Sequence, residues 1–499
     1  MRKNLLIIAC LIFVTDLKGQ NWDNLWQLGT NPSNIAQTNY YIDFSSGIAD
    51  ADTLVRKMSF FNTNASICDT SGKLLFYSNG VYISNRNHDS LLNCHNFNPG
   101  YWTDFYDDGL GIPQGALILD VPGSLSKYGV FSVSGEYGNF YGKTFMPLSL
   151  NYSEVDMNLD GGLGGIPLNR KNIHVVEDSI MWGRITACKH ANGRDWWIIT
   201  HKFYSDKYYK IYFQGDSFSI EIQHIGNQFK TFDANGMAVF SPDGSKYAHL
   251  NTNDTIDLLQ FDRCSGEFST PIMLSVRDSS NTLSAALGCQ FSPNSRFLYV
   301  NSYRRLWQFD TWSMDIQDSK ILIDSTDNFE DKFLQQLAPD GKIYISTFNS
   351  NGQQPFLSVI NKPDSLGSLC NFEIEGLLFP IASTNHCVPN FPNYNLGPLE
   401  GSLCDTISVS SDFSQHQVSK IKVDILPNPN KGKFTLHYHL PQNKEGIIEI
   451  INMQGRIEAV FKRPMWSSIL NADVNLAPGM YLVRLKSGGN LISKTMVVQ

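Results

Sequence analysis

The sequence is short of charge, of cysteine and of long apolar runs. Only 17% of its 499 residues are charged, and 39 Lys+Arg against 47 Asp+Glu leave a net charge of -8, so no global basic field exists to attract nucleic acid phosphates. Nucleic acid is not an expected partner. After residues 5–14 no stretch approaches the roughly 18–20 apolar residues that a membrane-crossing helix needs, and no transmembrane segment is expected in the mature chain. Nine cysteines lie far apart without a Cys-x-x-Cys pair, which removes the support for a zinc site. The sequence also lacks a G-x-S-x-G elbow, an H-E-x-x-H helix and a Walker loop, so no catalytic residue is assigned. Helical periodicity is scarce. What remains is abundant apolar surface: 42% hydrophobic and 12% aromatic residues describe a globular chain, long enough for about two or three domains.

Arg2 and Lys3, an apolar run over 5–14 and a polar close at Gly19 and Gln20 have the layout of a secretory signal peptide, residues 1–20. Its removal takes Cys10 with it. Eight cysteines remain in an exported chain, and the expectation is one to three disulfides, Cys370 with Cys387 or Cys404 among the candidates; the others read as small buried apolar residues.

Internal repetition organises residues 21–401. Phe240-Ser241-Pro242-Asp243-Gly244, Phe291-Ser292-Pro293-Asn294 and Leu337-Ala338-Pro339-Asp340-Gly341 each lead into an alternating apolar strand. Proline presets φ, aspartate bonds its own backbone and glycine accepts positive φ, so each is a turn feeding a strand. Fainter copies precede 74–77, 128–131 and 196–199. Short antiparallel strands repeating about every 45 to 50 residues match the period of a β-propeller blade, and six anchors plus a closing segment predict seven blades. A serine-rich stretch, 402–420, reads as a linker. Beyond it the charge balance inverts: residues 418–499 hold 11 Lys+Arg against 5 Asp+Glu, and short strands over 421–499 predict a small immunoglobulin-like β-sandwich. The expected fold is all-β throughout.

Specific residues go further. Pro427, Asn428, Pro429, Gly432 and Phe434, then Asn452 and Gly455, then Pro478, Gly479 and Tyr481, and finally Lys494 mark four blocks whose order and spacing resemble the type A C-terminal sorting domain of the type IX secretion system of Bacteroidota. This resemblance implies delivery through the type IX machinery to a secreted or surface-attached state. Asn21-Trp22, Leu74-Leu75-Phe76-Tyr77-Ser78-Asn79-Gly80, the run from Val155 to Gly164, Lys189-His190-Ala191-Asn192-Gly193-Arg194-Asp195-Trp196-Trp197 and Val388-Pro389-Asn390-Phe391 resemble a group of exported Bacteroidota proteins of the same layout. That likeness brings no reaction with it.

Three places could carry chemistry. Asp156, Asn158 and Asp160 with Gly161 fit the opening of a calcium loop, D-x-N-x-D-G, although Pro167 stands where the bidentate glutamate belongs; calcium is the one cofactor considered, and a turn-rich loop is the plainer reading. His190, Asp195 and His201, or His386 with Cys387, could do acid-base or nucleophilic work, against blade-stabilising hydrogen bonds and a structural cysteine. Trp102, Tyr106 and Asp107, within an aromatic and acidic loop that also holds Tyr101, Asp104 and Phe105, suit stacking on a glycan. The function expected is a ligand-binding or interaction module for a glycan or surface protein; the alternative is a propeller-type hydrolase, lactonase-like or glycan-active, with acids at a central channel.

Overall fold

The computed structural model describes residues 21–29, 37–106, 108–140, 143–215, 217–228, 236–251, 255–277, 286–302, 304–326, 331–348, 355–380, 387–405, 422–440, 444–463 and 469–499. The signal segment 1–20, Asp107, His386 and most of the 402–420 stretch lie outside them. Strand dominates the described chain. Among the described residues seven antiparallel sheets of three or four strands follow one another from Leu25 to Leu378, each wound as a meander, with a two-stranded hairpin inserted into the third. The first, Leu25–Leu28, Gln37–Asp43 and Asp50–Arg56, and the second, Ala65–Cys68, Leu74–Ser78 and Ile83–Asn85, have three strands. The next five have four, and their first strands are Ala116–Asp120, Thr186–Lys189, Ala238–Phe240, Ala286–Phe291 and Asp331–Leu337.

The turns behave as their chemistry requires. Asp243 Oδ1 accepts from the Ser245 amide at 3.0 Å while Gly244 takes φ 71, and Asn294 accepts from the Arg296 amide at 3.0 Å while Ser295 takes φ 62. A side chain in each turn thus fixes where the following strand begins. Those strands are buried along their whole length, as in Phe297–Ser302 and Trp196–His201, because both faces of the sheet pack against neighbours. Each fully buried Phe or Leu contributes about 1.5–3 kcal/mol, so one continuous core running from Trp26 to Tyr394 holds the sheets together.

The row of sheets closes on itself. Asn64 Nδ2 donates to Gln27 O at 2.7 Å between the first two sheets, Phe76 meets Tyr128 between the second and third, and Phe131 meets Phe213 between the third and fourth. Tyr208 and Tyr247 join the fourth to the fifth, Lys246 Nζ donates to Ser295 O at 3.0 Å toward the sixth, and Asn301 Nδ2 to Lys332 O at 2.8 Å toward the seventh. Tyr40 of the first sheet then stacks on Phe379, just past the seventh, with ring centroids 3.9 Å apart.

Two expectations change here. The 101–106 stretch, read as a loop, contains a one-turn helix, Tyr101–Phe105, in which rings four residues apart pair: Tyr101 with Phe105 and Trp102 with Tyr106. The disulfide joins Cys264 to Cys404, with Cα atoms 5.6 Å apart, whereas Cys370 is buried among Phe297, Tyr299 and Ile343 as a free thiol and Cys387 is buried elsewhere.

At the C-terminal end, Lys422–Leu426, Lys433–His439 and Ile469–Asp473 form one sheet; Ile457–Arg463, Gly446–Asn452, Gly479–Ser487 and Asn490–Val498, in that spatial order, form another. Phe434, Leu436, Ile448, Val483 and Met496 lie in one core shared by both sheets, the outcome that period-2 alternation in each strand dictates.

Candidate functional site

The centre of the closed row is filled by the chain itself. Residues 387–405 form no ladder, yet they bond to the first strands of the third and seventh sheets and to the residues just before those of the second and fourth. Asn390 Nδ2 donates to Ala116 O at 2.9 Å and Ile185 O at 3.0 Å, its amide donates to Asn64 O at 2.9 Å, and its Oδ1 accepts from Gln114 Nε2 at 3.2 Å. Gln336 exchanges bonds with the backbone of Phe391, and Tyr394 donates its hydroxyl to Ile118 O at 2.7 Å. An amide side chain suits this position because it offers two donors to carbonyls that would otherwise be buried unpaired and an acceptor to the Gln114 amide. Farther along, Arg263 Nη2 donates to Gly397 O at 2.6 Å, and the Leu399 amide donates to Ala191 O at 2.8 Å. Gly193 comes so close that a Cβ there would lie 2.5 Å from Pro398 N, and the Cys264–Cys404 disulfide then fastens the segment. The strap therefore crosses the centre and is clamped at its exit.

At that exit a cavity of about 260 Å³ remains, lined by Asp23, Phe240, Pro242, Pro339, Phe391 and Asn393 among others, so the repeated proline turns form its rim. Asp23 is the carboxylate here. Burial pushes its carboxyl up to about 6, against an ordinary value of about 3.9. Between those values the folded chain keeps a proton that the unfolded chain has released, so Asp23 stabilises the fold below about pH 4 and that contribution is lost as the pH rises through 6. Asp23→Asn should flatten the fall in thermal stability between pH 4 and 6.5 and raise stability at pH 7 by on the order of 1–2 kcal/mol, read from melting curves at pH 4 and pH 7.

The residues singled out from sequence are placed as follows. Asp156 Oδ1 accepts from both the Asn158 amide and Asn158 Nδ2, which also reaches Ser126 Oγ, and Asp156 pairs with Gly165 through the backbone. The loop is closed by its own hydrogen bonds, and Asp160 begins the single-turn segment Asp160–Gly162. His190 and His201 stand at opposite ends of Trp196–His201, about 17–20 Å apart, and do not converge. His190 is held between the Asn192 amide and Cys264 O. Burial alone would raise Asp195, but hydrogen bonds from Arg194, Tyr212 and Asn192 hold its carboxyl below the usual range. His201 is driven down to about 3 by burial and stacks near His249. The Cys387 thiol is pushed up to about 12 by burial, which suppresses the nucleophilic thiolate. Trp102 and Tyr106 stack at 4.7 Å beside the exposed Asp104. The strap was legible only as the run Val388-Pro389-Asn390-Phe391; nothing in its pattern signals a central position.

The sorting-type blocks converge on one edge of the C-terminal unit. Asn428 Nδ2 donates to Thr495 O at 2.9 Å and its Oδ1 accepts from the Val497 amide at 2.8 Å, so the Pro427-Asn428-Pro429 segment grips the closing strand. Lys494 pairs with Asp424. Gly432 takes φ 86 with Val474 O only 2.4 Å from where a Cβ would lie, a position open to glycine alone. Asn452 Oδ1 accepts from the Gln454 and Arg456 amides and Gly455 completes that turn, while Tyr481 donates to Ala477 O at 2.8 Å, bracing the turn at Pro478 and Gly479. Phe434 is buried in the core.

Comparison with known proteins separates the two parts. Residues 424–499 match the family model of the secretion system C-terminal sorting domain. None of the curated proteins compared is a significant match to the chain. Among solved structures, a candidate 6-phosphogluconolactonase from Bacteroides uniformis is similar at 11% identity and TM-score 0.41, over 74% of this chain and 99% of that one. The periplasmic gluconolactonase of Pseudomonas aeruginosa is similar at 11% identity and TM-score 0.35, over 91% and 99%. The Dos1 propeller is similar at 10% identity and TM-score 0.36, over 64% and 73%. Such distant likeness says nothing of activity. Among the described residues no helix is long and apolar enough to cross a membrane. Residues 424–499 are a type IX secretion system C-terminal sorting domain, and the all-β chain that carries them is exported, to be secreted or attached at the outer cell surface.

Proposed function

We propose that the protein is a surface-displayed or released ligand-binding module: a seven-bladed propeller over 21–401, each described sheet a blade, sent out by the signal peptide 1–20 and by an immunoglobulin-like sorting sandwich over 421–499. The observation that carries this reading is the strap. A propeller hydrolase, lactonase-like or glycan-active, needs acids or histidines converging at an open channel mouth. Here Asn390, Phe391 and Tyr394 occupy the centre, and the cavity beside them holds Asp23 without a second carboxylate or histidine among its described lining residues. Loops from several blades remain free to meet a partner.

The test sets binding against turnover. The exported protein is incubated with a panel of aldonolactones and neutral oligosaccharides while product formation and binding are both followed. Binding without product is the expected result. Turnover that disappears in Asp23→Asn would establish the hydrolase instead.

A further inference from the structure

We propose that the short helix Tyr101–Phe105 forms the ridge of a binding site for a neutral oligosaccharide; this rests on the reading of the protein as a binding module. Two different surfaces meet at that ridge. On one side lies a cluster of rings. Phe105 is 68% exposed and stacks on Tyr101 at 4.4 Å, and Tyr137, 60% exposed, meets Tyr101 at 5.0 Å. Tyr137 is brought there by Glu136–Phe140, a strand of a hairpin with Lys143–Met146 inserted into the third sheet's connections. Trp102 anchors the helix from beneath: its Nε1 donates to Gly109 O at 3.0 Å, and a Cβ on Gly111 would lie 2.3 Å from its ring.

On the other side of the ridge is a cavity of about 640 Å³, within the roughly 300–1,000 Å³ usual for small-ligand sites, lined by Tyr82, Ser90, Asn93, His95, Asn96 and Asp104. Hydroxyl, amide, imidazole and carboxylate groups line it, and none of its described lining residues is a lysine or arginine. The Lys171 ammonium is taken up by the Asn93 and His95 carbonyls, so an anionic ligand would meet the Asp104 carboxylate. The wall is also stiff before any ligand arrives. Lys171 Nζ donates to Asn93 O at 3.2 Å and His95 O at 2.7 Å, Asn172 Nδ2 donates to Asn96 O at 2.6 Å, and Asn93 Nδ2 donates to Ile166 O at 3.1 Å. Preorganisation of this kind removes the ordering cost that weakens binding by loose loops.

A pyranose matches both surfaces. Its C–H face stacks on an aromatic ring and its equatorial hydroxyls exchange hydrogen bonds with amides and carboxylates. A protein hot spot calls for a fully desolvated apolar pocket, whereas here the exposed rings border a cavity that mixes Ser90, Asn93, Asn96 and Asp104 with Val81, Leu91 and Phe97. A chain of two or three sugars can rest one ring on Phe105 and place the next above Asp104 and Asn96.

The exported full-length protein, applied to an array of neutral glucans, mannans, galactans and N-acetylglucosamine oligomers and then titrated with the best ligand, tests this. The wild type should bind at least one of them. Phe105→Ala with Tyr137→Ala should weaken that binding at least tenfold with an unchanged melting temperature, and Phe105→Trp should retain it. Equal binding by the double variant would overturn this site and leave the binding module standing elsewhere; no neutral glycan bound at millimolar concentration would overturn the ligand class. Consumption of the sugar would overturn the underlying reading itself.

Discussion

Deletion of residues 421–499 should leave the protein inside the cell envelope, in the periplasm, with its propeller-like part folded. Delivery depends on the sorting domain matched at 424–499, while the strap, its disulfide and every sheet of the first part lie before residue 406. The two cores share no residue: one runs from Trp26 to Tyr394 and the other from Val423 to Val498. Fractionation followed by protease treatment of intact cells reads the outcome. The truncated chain should be protected from external protease and present in the periplasmic fraction; normal amounts at the surface or in the medium would contradict the sorting assignment.

Cutting the strap's anchors should destabilise the first part severely. Cys264 and Cys404 are 140 residues apart in sequence, and a crosslink closing a loop of that order stabilises by about 4–5 kcal/mol in the chain-entropy account. The double substitution Cys264→Ser with Cys404→Ser should therefore lower the melting temperature by roughly 5–6 °C for a chain this large. Asn390→Ala acts at the other end of the strap. It leaves the carbonyls of Ala116 and Ile185 buried without donors, at about 1–3 kcal/mol for each unpaired group. Calorimetry on the exported protein measures both. Melting within a degree of the wild type in either case would mean that the strap is an ornament rather than a closure.

Much of this arrangement could be read from the residues alone, and the reasons are local. Pro242-Asp243-Gly244 and Pro339-Asp340-Gly341 encode their turns by side chains that bond within the turn, so Lys246–Asn251 and Ile343–Phe348 begin where the sequence places them. The sorting blocks were equally legible, because Asn428, Gly432 and Asn452 each answer a backbone demand that few residue types can meet. The strap was not. Val388-Pro389-Asn390-Phe391-Pro392 has neither helical nor strand period, and its prolines read as surface loop; its burial is decided by the side-chain amides of Gln114 and Gln336 and the backbone carbonyl of Asn64, groups distant in sequence that face the same line. Cysteine pairing was hidden for the same reason. Cys404 meets Cys264 only because the strap leaves the centre beside Arg263, and Cys370 is enclosed by Phe297 and Ile343 instead. The first sheet, Leu25–Leu28 to Asp50–Arg56, carries no Pro-Asp-Gly turn and escaped the repeat pattern.

Residues 387–392 and Tyr394 run buried through the middle of the closed row of sheets. Hydrogen–deuterium exchange of the exported protein, resolved by peptide, tests it most directly. The account predicts that the amides of Asn390 and Phe391, bonded to Asn64 O and Gln336 Oε1, exchange as slowly as those of Ala116–Asp120 and Ala238–Phe240. Exchange of the Asn390 and Phe391 amides within seconds, at the rate of an exposed loop, would contradict it and reopen the centre as a channel.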